Sequence, residues 1–197
     1  MKKLILAAIV FLSINNAVAQ IYKAKDNGTE ITFYSKSPLE DIDAVNKGAI
    51  VVMNTNTNDI QMRITIQNFK FKNGLMEEHF NENYMETDKE GPKDANGKAT
   101  YPYKNAIFKG KVNEKIDLTK DGETKVTVTG KMEIHGVTKD VTYDGTITMK
   151  GTDLTLLCKF KIKVADYNIK VPSLYVKNIA EIVDVTVKSV LEPYVKK

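Results

Sequence analysis

The sequence is poor in three residue types, with no tryptophan, one cysteine and one arginine in 197 residues. A single cysteine, Cys158, excludes an intramolecular disulfide, so stability has to come from a packed core. The lack of tryptophan argues against an immunoglobulin-like sandwich, whose core often combines one with a disulfide. Because arginine is the side chain best suited to forked recognition of phosphate or guanine, its near absence argues against a nucleic-acid partner.

Charge and hydrophobic content are close to those of an average globular domain. Charged residues make up 27% of the chain and hydrophobic residues 42%, which fits neither a disordered chain nor a polytopic membrane protein. Two lysines lie in the first three residues; without them 27 basic side chains face 25 acidic ones. We therefore expect one domain with almost balanced charge.

The first nineteen residues have the order of a secretory signal peptide. Lys2 and Lys3 precede an apolar run over residues 4–12, and Ala17-Val18-Ala19 supplies a small-x-small cleavage site. The run is shorter than the ~20 residues that a membrane span needs. We expect a signal peptide at 1–19, cleavage after Ala19, and a mature domain at 20–197 in the periplasm or outside the cell, with no transmembrane segment. An uncleaved N-terminal anchor is the alternative.

Alternation of apolar and polar residues dominates the mature chain and predicts β-strands. Turn signals such as Lys120-Asp121-Gly122 and His135-Gly136 separate the runs. We expect about eight strands at 21–26, 29–35, 48–54, 60–69, 104–113, 124–135, 138–149 and 153–164, with extended pieces at 166–171 and 182–190. Short connections favour an antiparallel meander, and closure removes its exposed edges. The prediction is an all-β, up-and-down antiparallel barrel.

Two segments interrupt the strand pattern. Residues 73–87 predict an amphipathic helix of three to four turns, with Asn73 as N-cap and Met76, Phe80 and Tyr84 on one face. We expect this helix to bury that face near the barrel mouth. Residues 36–47 predict a second, short helix.

Several segments, in this order and spacing, resemble the YceI-like family of exported bacterial proteins, also called polyisoprenoid-binding or lipid-binding YceI-like proteins. They lie at residues 33–42, 69–71, 75–86, 108–110, 130–139, 166–167 and 171–173. The resemblance spans nearly the whole mature chain. It implies a lipocalin-like barrel with an apolar tunnel that holds an isoprenoid chain, such as a quinone or a polyprenyl lipid. This sequence departs from the family pattern by a polar loop at 89–100 before Tyr101-Pro102.

Inward positions of the strands and of the helix supply the expected ligand-binding residues. They are Ile64, Ile66, Leu75, Met76, His79, Phe80, Tyr84, Phe108, Met132, Ile134, Phe160 and Ile162. Hydroxyls inside the barrel could come from Tyr84, Tyr101, Tyr103, Tyr143 or Tyr167. An eight-stranded barrel has room for one elongated ligand or for its own side chains. Two functions stay open: binding of an isoprenoid or other long-chain lipid, or a structural or stress-related interaction protein with a filled barrel.

Signals for catalysis are weak. The chain has two histidines and no C-x-x-C, H-E-x-x-H, nucleophile elbow or phosphate-binding loop. We interpret His79 as a helix residue at the barrel rim, His135 as a turn residue, and Cys158 as a small buried apolar residue. We expect no catalytic residues, no metal and no cofactor, hence no enzyme. A homodimer is left open.

Overall fold

The computed structural model describes residues 21–36, 41–170 and 180–194. The expected signal peptide and residues 171–173 of the family resemblance lie outside these ranges. Ten strand segments form one sheet. They are β1 (Ile21–Ser35), β2 (Ile42–Asn46), β3 (Ile50–Asn54), β4 (Asp59–Thr65), β5 (Lys70–Phe71), β6 (Asn105–Val112), β7 (Gly122–Ile134), β8 (Val137–Lys150), β9 (Asp153–Lys163) and β10 (Ile182–Pro193).

The ten segments act as eight long antiparallel strands. Both β2 and β3 pair with β1, so together they form one interrupted strand. In the same way β4 pairs with β3 and β5 pairs with β2. Pairing of β10 with β1 closes the sheet. The predicted up-and-down barrel of about eight strands is confirmed.

Some expected boundaries differ from the structure. The turn expected after residue 26 is a bulge inside β1, where the register shifts between Ala24 and Thr29 and Asn27 has a φ of 55°. The short helix expected in residues 36–47 is wrong for its described part, because Ile42–Asn46 is strand β2; residues 37–40 lie outside the described ranges. The extended piece expected at 166–171 begins inside a 3₁₀ turn, Val164–Tyr167. Residues 42–46 form a strand and not a helix because they pair with β1. Ala44 and Asn46 accordingly alternate inward, as a strand requires.

The predicted helix is present but shorter. Helix α1 (Gly74–His79) continues as a π turn, Phe80–Tyr84. Asn73 is its N-cap, as predicted, with Oδ1 accepting the Leu75 N–H at 2.9 Å. The helix ends just before Glu86, whose φ of 46° is incompatible with another helical turn. We call the end of the barrel that carries α1 the mouth.

The barrel interior has two unlike halves. The half away from the mouth is filled by side chains that are at most 2% exposed: Tyr22, Val51, Met53, Ile147, Leu154 and Leu191. A pair of hydroxyls, Thr29 and Ser189, lies among them with oxygens 2.7 Å apart, so both polar groups are satisfied. The packed half stabilises the barrel, and the half under the helix is left to form the site.

One part of the barrel wall lacks backbone pairing. Strands β8 and β9 pair from Lys150 and Asp153 only as far as Gly145 and Cys158. Beyond that point β8 stays paired with β7, and β9 with β10. Residues 137–144 and 159–163 therefore diverge toward the mouth without pairing to each other, and we call this divergence the β8–β9 seam.

Candidate functional site

A cavity of about 550 Å³ lies between the helix and the mouth half of the barrel. Its walls come from strands on all sides, and α1 with the π turn crosses its open end. A cluster of four phenylalanines, Phe33, Phe69, Phe71 and Phe80, packs at the mouth with ring centroids 5.1–5.8 Å apart. Such spacing is typical of favourable aromatic pairs. The cavity is thus framed by packed aromatic rings rather than by a loose loop.

Most of the residues expected from the sequence do line this cavity. They are Ile64, Ile66, Leu75, Met76, His79, Phe80, Tyr84, Met132, Ile134, Phe160 and Ile162. Their role in binding a ligand stays a prediction. Several further lining residues were not predicted from the sequence, among them Phe33, Phe69 and Phe71. Phe33 could have been predicted, because Ile31, Phe33 and Ser35 alternate along one face of β1.

Phe108 is the exception among the expected residues. Its ring lies over the glycine pair Gly110 and Gly130, where an added Cβ would approach the Phe108 Cζ to 2.6 and 2.9 Å. The ring therefore points away from the mouth and lines a second cavity of about 60 Å³. Alternation correctly places Phe108 inside the barrel, but the two glycines decide the direction of its ring.

The two cavities adjoin through a shared set of side chains. Met62, Met132, Phe160 and Val187 line both of them. We call these four residues the partition. Met62 and Met132 come from β4 and β7, while Phe160 and Val187 come from β9 and β10, so the partition is built from opposite walls.

The helix covers the mouth only partly. No residue of α1 or of the π turn is fully buried, and Leu75 is 57% exposed although it lines the cavity. The expectation that this face is buried is therefore met only in part, because it faces a cavity instead of a packed core.

An acidic side chain fastens the helix to the barrel. The Glu77 carboxylate lies 2.5 Å from the Lys70 Nζ on β5 and accepts the Phe71 N–H at 3.3 Å. The Lys70 hydrogen bond lowers the pKa of Glu77 below its ordinary value. Glu77 therefore connects α1 to the strand that borders the mouth.

Polar groups are few in the cavity wall. Ser35, Asn73, His79 and the Tyr84 hydroxyl are the polar side chains among the described lining residues, and none of these lining residues is Asp, Glu, Lys or Arg. Ser35 is occupied, since its Oγ accepts the Ala180 N–H at 3.1 Å. A wall of this composition suits a long neutral apolar group, which it would hold by burial at roughly 25 cal/mol per Å².

Two tyrosines, Tyr143 and Tyr167, lie close to each other near the β8–β9 seam. Burial raises the pKa of both hydroxyls above the ordinary value. The Tyr143 ring also stacks on Phe160, with centroids 4.1 Å apart. Neither tyrosine lines the large cavity, so neither hydroxyl is placed as an acid or base for a ligand there.

His135 has more contacts than the sequence indicates. It lies in the β7–β8 turn with a φ of 50° and is 8% exposed. Its Nδ1 is 3.3 Å from the Tyr167 carbonyl oxygen, and its Nε2 is 3.2 Å from the Glu86 carboxylate. The ring also lies 4.1 Å from the Tyr103 ring. A predicted turn residue thus joins three segments beside the mouth.

Cys158 is partly buried and not fully buried as predicted, and its thiol is a poor nucleophile. Burial raises the pKa of its thiol to about 11, and the Asp144 carboxylate adds to the effect. The thiol donates to the Asp144 carbonyl oxygen at 3.3 Å. Because the thiolate is the reactive form, this environment is unsuited to a nucleophile.

Within residues 21–36, 41–170 and 180–194, no three His, Cys, Asp or Glu side chains are grouped so as to hold a metal ion. The same part of the chain contains no helix long and apolar enough to cross a membrane.

The chain is similar in sequence to one protein family and in structure to several solved proteins. A family model described as YceI-like domain matches residues 22–191. A polyisoprenoid binding domain from Saccharophagus degradans, implicated in plant cell wall breakdown, is similar in structure with a TM-score of 0.71 at 15% identity, covering 88% of this chain and 98% of that chain. None of the curated proteins matches this sequence.

Two further solved structures share the fold. BcnA from Burkholderia cenocepacia has a TM-score of 0.66 at 17% identity, with 85% of this chain and 98% of that chain covered. The YCEI protein of Campylobacter jejuni has a TM-score of 0.51 at 17% identity, with 76% and 81% covered. Similarity at these identities establishes a common fold.

Proposed function

The chain belongs to the YceI-like family, and on that premise we propose that it is a binding protein that holds an isoprenoid-type lipid in its barrel. The observation that carries the proposal is the cavity of about 550 Å³ lined almost entirely by aliphatic, methionine and aromatic side chains. A volume of this size is within the usual range for ligand sites. The description of the S. degradans relative as polyisoprenoid binding supports the same class of ligand.

The distribution of polar groups supports an orientation for the lipid. Asn73 and His79 lie at the mouth, whereas the lower wall, toward the partition, is apolar. Burying the apolar chain releases water from both surfaces, while a polar head buried without partners would cost free energy. The chain of a quinone or polyprenyl lipid would therefore point inward and its head group would stay near α1.

Binding without catalysis is part of the proposal. Burial raises the pKa of the Cys158 thiol to about 11, and it raises the pKa of the Tyr143 and Tyr167 hydroxyls above the ordinary value. Their environments support a container for a lipid better than a reactive centre.

The direct test is to purify the protein from its native host and measure it by native mass spectrometry before and after extraction with organic solvent. We expect additional mass that is lost on extraction and that the extract contains an isoprenoid-type lipid. A protein that carries no lipid and takes up neither a quinone nor a polyprenyl probe would instead favour the structural or stress-related role.

A substitution pair locates the binding site. Ile134 is 8% exposed and lines the cavity, whereas Ile50 is 51% exposed on β3 and does not line it. Ile134→Trp should lower affinity for a quinone probe at least about tenfold, since loss of burial equal to two methylene groups has that effect. Ile50→Trp should leave affinity unchanged. Equal affinities in the two variants would place the ligand elsewhere.

Export is the second part of the proposal. Lys2 and Lys3, the apolar run at 4–12 and Ala17-Val18-Ala19 support a cleaved signal peptide and a periplasmic or secreted protein. Mass spectrometry of protein from the native host should find Gln20 at the mature N-terminus. Recovery of the full-length chain from the cytoplasm would contradict export and leave the binding proposal intact.

A further inference from the structure

The partition gives the cavity a floor. Met62, Met132, Phe160 and Val187 line both the large cavity and the cavity of about 60 Å³ beyond it. Below the small cavity the barrel is filled, with Leu154, Ile147 and Leu191 at most 1% exposed. A chain that enters from the mouth therefore reaches the partition first, then a small space, and then a packed core.

Phe160 differs from the other three residues of the partition in how firmly it is held. Its ring stacks on Tyr143 with centroids 4.1 Å apart and an interplanar angle of 20°. Tyr143 is itself partly buried and lines the small cavity. Both methionines, in contrast, have unbranched flexible side chains that adapt to a neighbour, and Val187 is too short to close the space alone.

Backbone pairing leaves Phe160 dependent on this side-chain support. It lies in the β8–β9 seam, where its strand pairs with β10 through Val185 but not with β8. The Tyr143 ring comes from the opposite side of the seam, on β8. The stacked rings therefore close the wall and form the floor at the same position.

We propose that Phe160 is the residue that sets the upper chain length of the bound lipid. This inference rests on the proposed function and deepens it. A chain that fits above the partition is fully buried, whereas a longer chain leaves its remaining units exposed at the mouth. Affinity should therefore rise with chain length until the large cavity is filled and then stay constant.

The space available behind Phe160 predicts the size of the effect. At roughly 30 Å³ for each water-sized group, the small cavity holds about two such groups. Replacing Phe160 by alanine removes the phenyl ring and joins this space to the large cavity. The combined volume is sufficient for about one more isoprene unit, and its burial should raise affinity at least about tenfold.

The experiment uses a series of linear prenols that differ by one isoprene unit, with binding measured by displacement of an apolar fluorescent probe. In the wild type we expect affinity to reach a plateau at a defined length. In Phe160→Ala the plateau should move about one isoprene unit toward longer prenols. For the prenol one unit longer than the wild-type limit, the variant should bind at least about tenfold more tightly than the wild type. Phe160→Leu, which retains more apolar volume and packing, should show the same shift to a smaller extent and tests the inference if the alanine variant does not fold.

Leu156→Ala is the matched control. Leu156 lies on the same strand as Phe160 and lines the small cavity without belonging to the partition. Its truncation enlarges the space below the floor but leaves the floor in place, so the plateau should not move. An equal shift in Leu156→Ala, or an unchanged plateau in both Phe160 variants, would overturn the inference alone. A wild type that binds no prenol of any length would overturn the proposed function and this inference with it.

Discussion

Phe80 is the helix residue that joins α1 to the aromatic cluster at the mouth. Its ring centroid lies 5.4 Å from that of Phe33 and 5.1 Å from that of Phe71. The side chain is half-buried rather than buried, so truncation should cost less than the 3–5 kcal/mol of a fully buried phenylalanine. We expect Phe80→Ala to lower the free energy of unfolding by about 2 kcal/mol in denaturant melts.

Glu78→Ala is the control for Phe80, because Glu78 is exposed on the opposite face of the same helix. It should change the free energy of unfolding by less than about 0.5 kcal/mol. Similar losses in the two variants would show that the phenylalanine cluster does not hold the helix.

The raised pKa of the Cys158 thiol predicts that the stability of the fold depends on pH. Because the pKa of the thiol is raised from 9.0 to about 11 in the folded chain, the thiol ionises more easily after unfolding. Its contribution to stability is present below about pH 9 and is lost as the pH rises to about 11. Between pH 8 and pH 11 we expect the free energy of unfolding to fall by about 2 kcal/mol more in the wild type than in Cys158→Ala, as measured by denaturant melts.

Alkylation provides a separate measurement of the same thiol. At pH 8 the folded chain should contain about a hundredfold less thiolate than the unfolded chain, which follows from a difference of about two in pKa. Iodoacetamide should therefore modify Cys158 much more slowly in buffer than in denaturant. Equal rates would mean that the thiol is not buried.

Single residues also show where sequence patterns stop being informative. Alternation places both Phe108 and Phe160 inside the barrel. It does not say that Gly110 and Gly130 leave a surface on which the Phe108 ring lies. Nor does it indicate that His135 contacts Glu86, because that contact joins residues 49 positions apart. Ring direction and long-range polar contacts depend on packing, which a local pattern does not contain.

At the scale of elements, the cap of α1 is the clearest local device. The Asn73 side chain accepts the Leu75 N–H, so one of the free N–H groups at the helix start is satisfied. Asn73→Ala should lower the free energy of unfolding by about 1 kcal/mol, and Asn73→Ser should restore most of it. Denaturant melts measure both changes.

Asn83→Ala is the comparison for the cap. Asn83 is exposed in the π turn, so its truncation should change stability only slightly. A cap effect no larger than that of Asn83→Ala would indicate that the helix is held by its phenylalanine contacts and by Glu77 alone.

Elements were predictable where one face is buried and the segment is long. Strands β7, β8 and β9 follow their alternating patterns closely, since each has 11 to 14 residues and one face that is less exposed than the other. Strands β2 and β5 have five and two residues, too few for a pattern to show. Their extended form comes from pairing with β1 and with each other, which is a tertiary effect.

At the scale of the whole molecule, the β8–β9 seam predicts uneven protection of the barrel wall. Among the described residues, 137–144 and 159–163 share no ladder pairing. Alternate amides of β8 along the seam should exchange hydrogen much faster than its amides beyond Gly145, which are paired on both sides. Hydrogen exchange followed by NMR measures this for each residue. Uniformly slow exchange along β8 would contradict the seam.

Closure of the barrel by its first and last strands determines when the fold can be completed. Thr29 and Ser189 meet in the core although 160 positions separate them. Bringing such distant segments together has a high entropy cost and slows folding. Synthesis delivers β1 before β10, so β1 and β9 remain open edges until β10 has been made. During that interval the protein is a nearly complete sheet with two edges able to pair with other chains, and the risk of aggregation is greatest in the moments before the last strand joins the first.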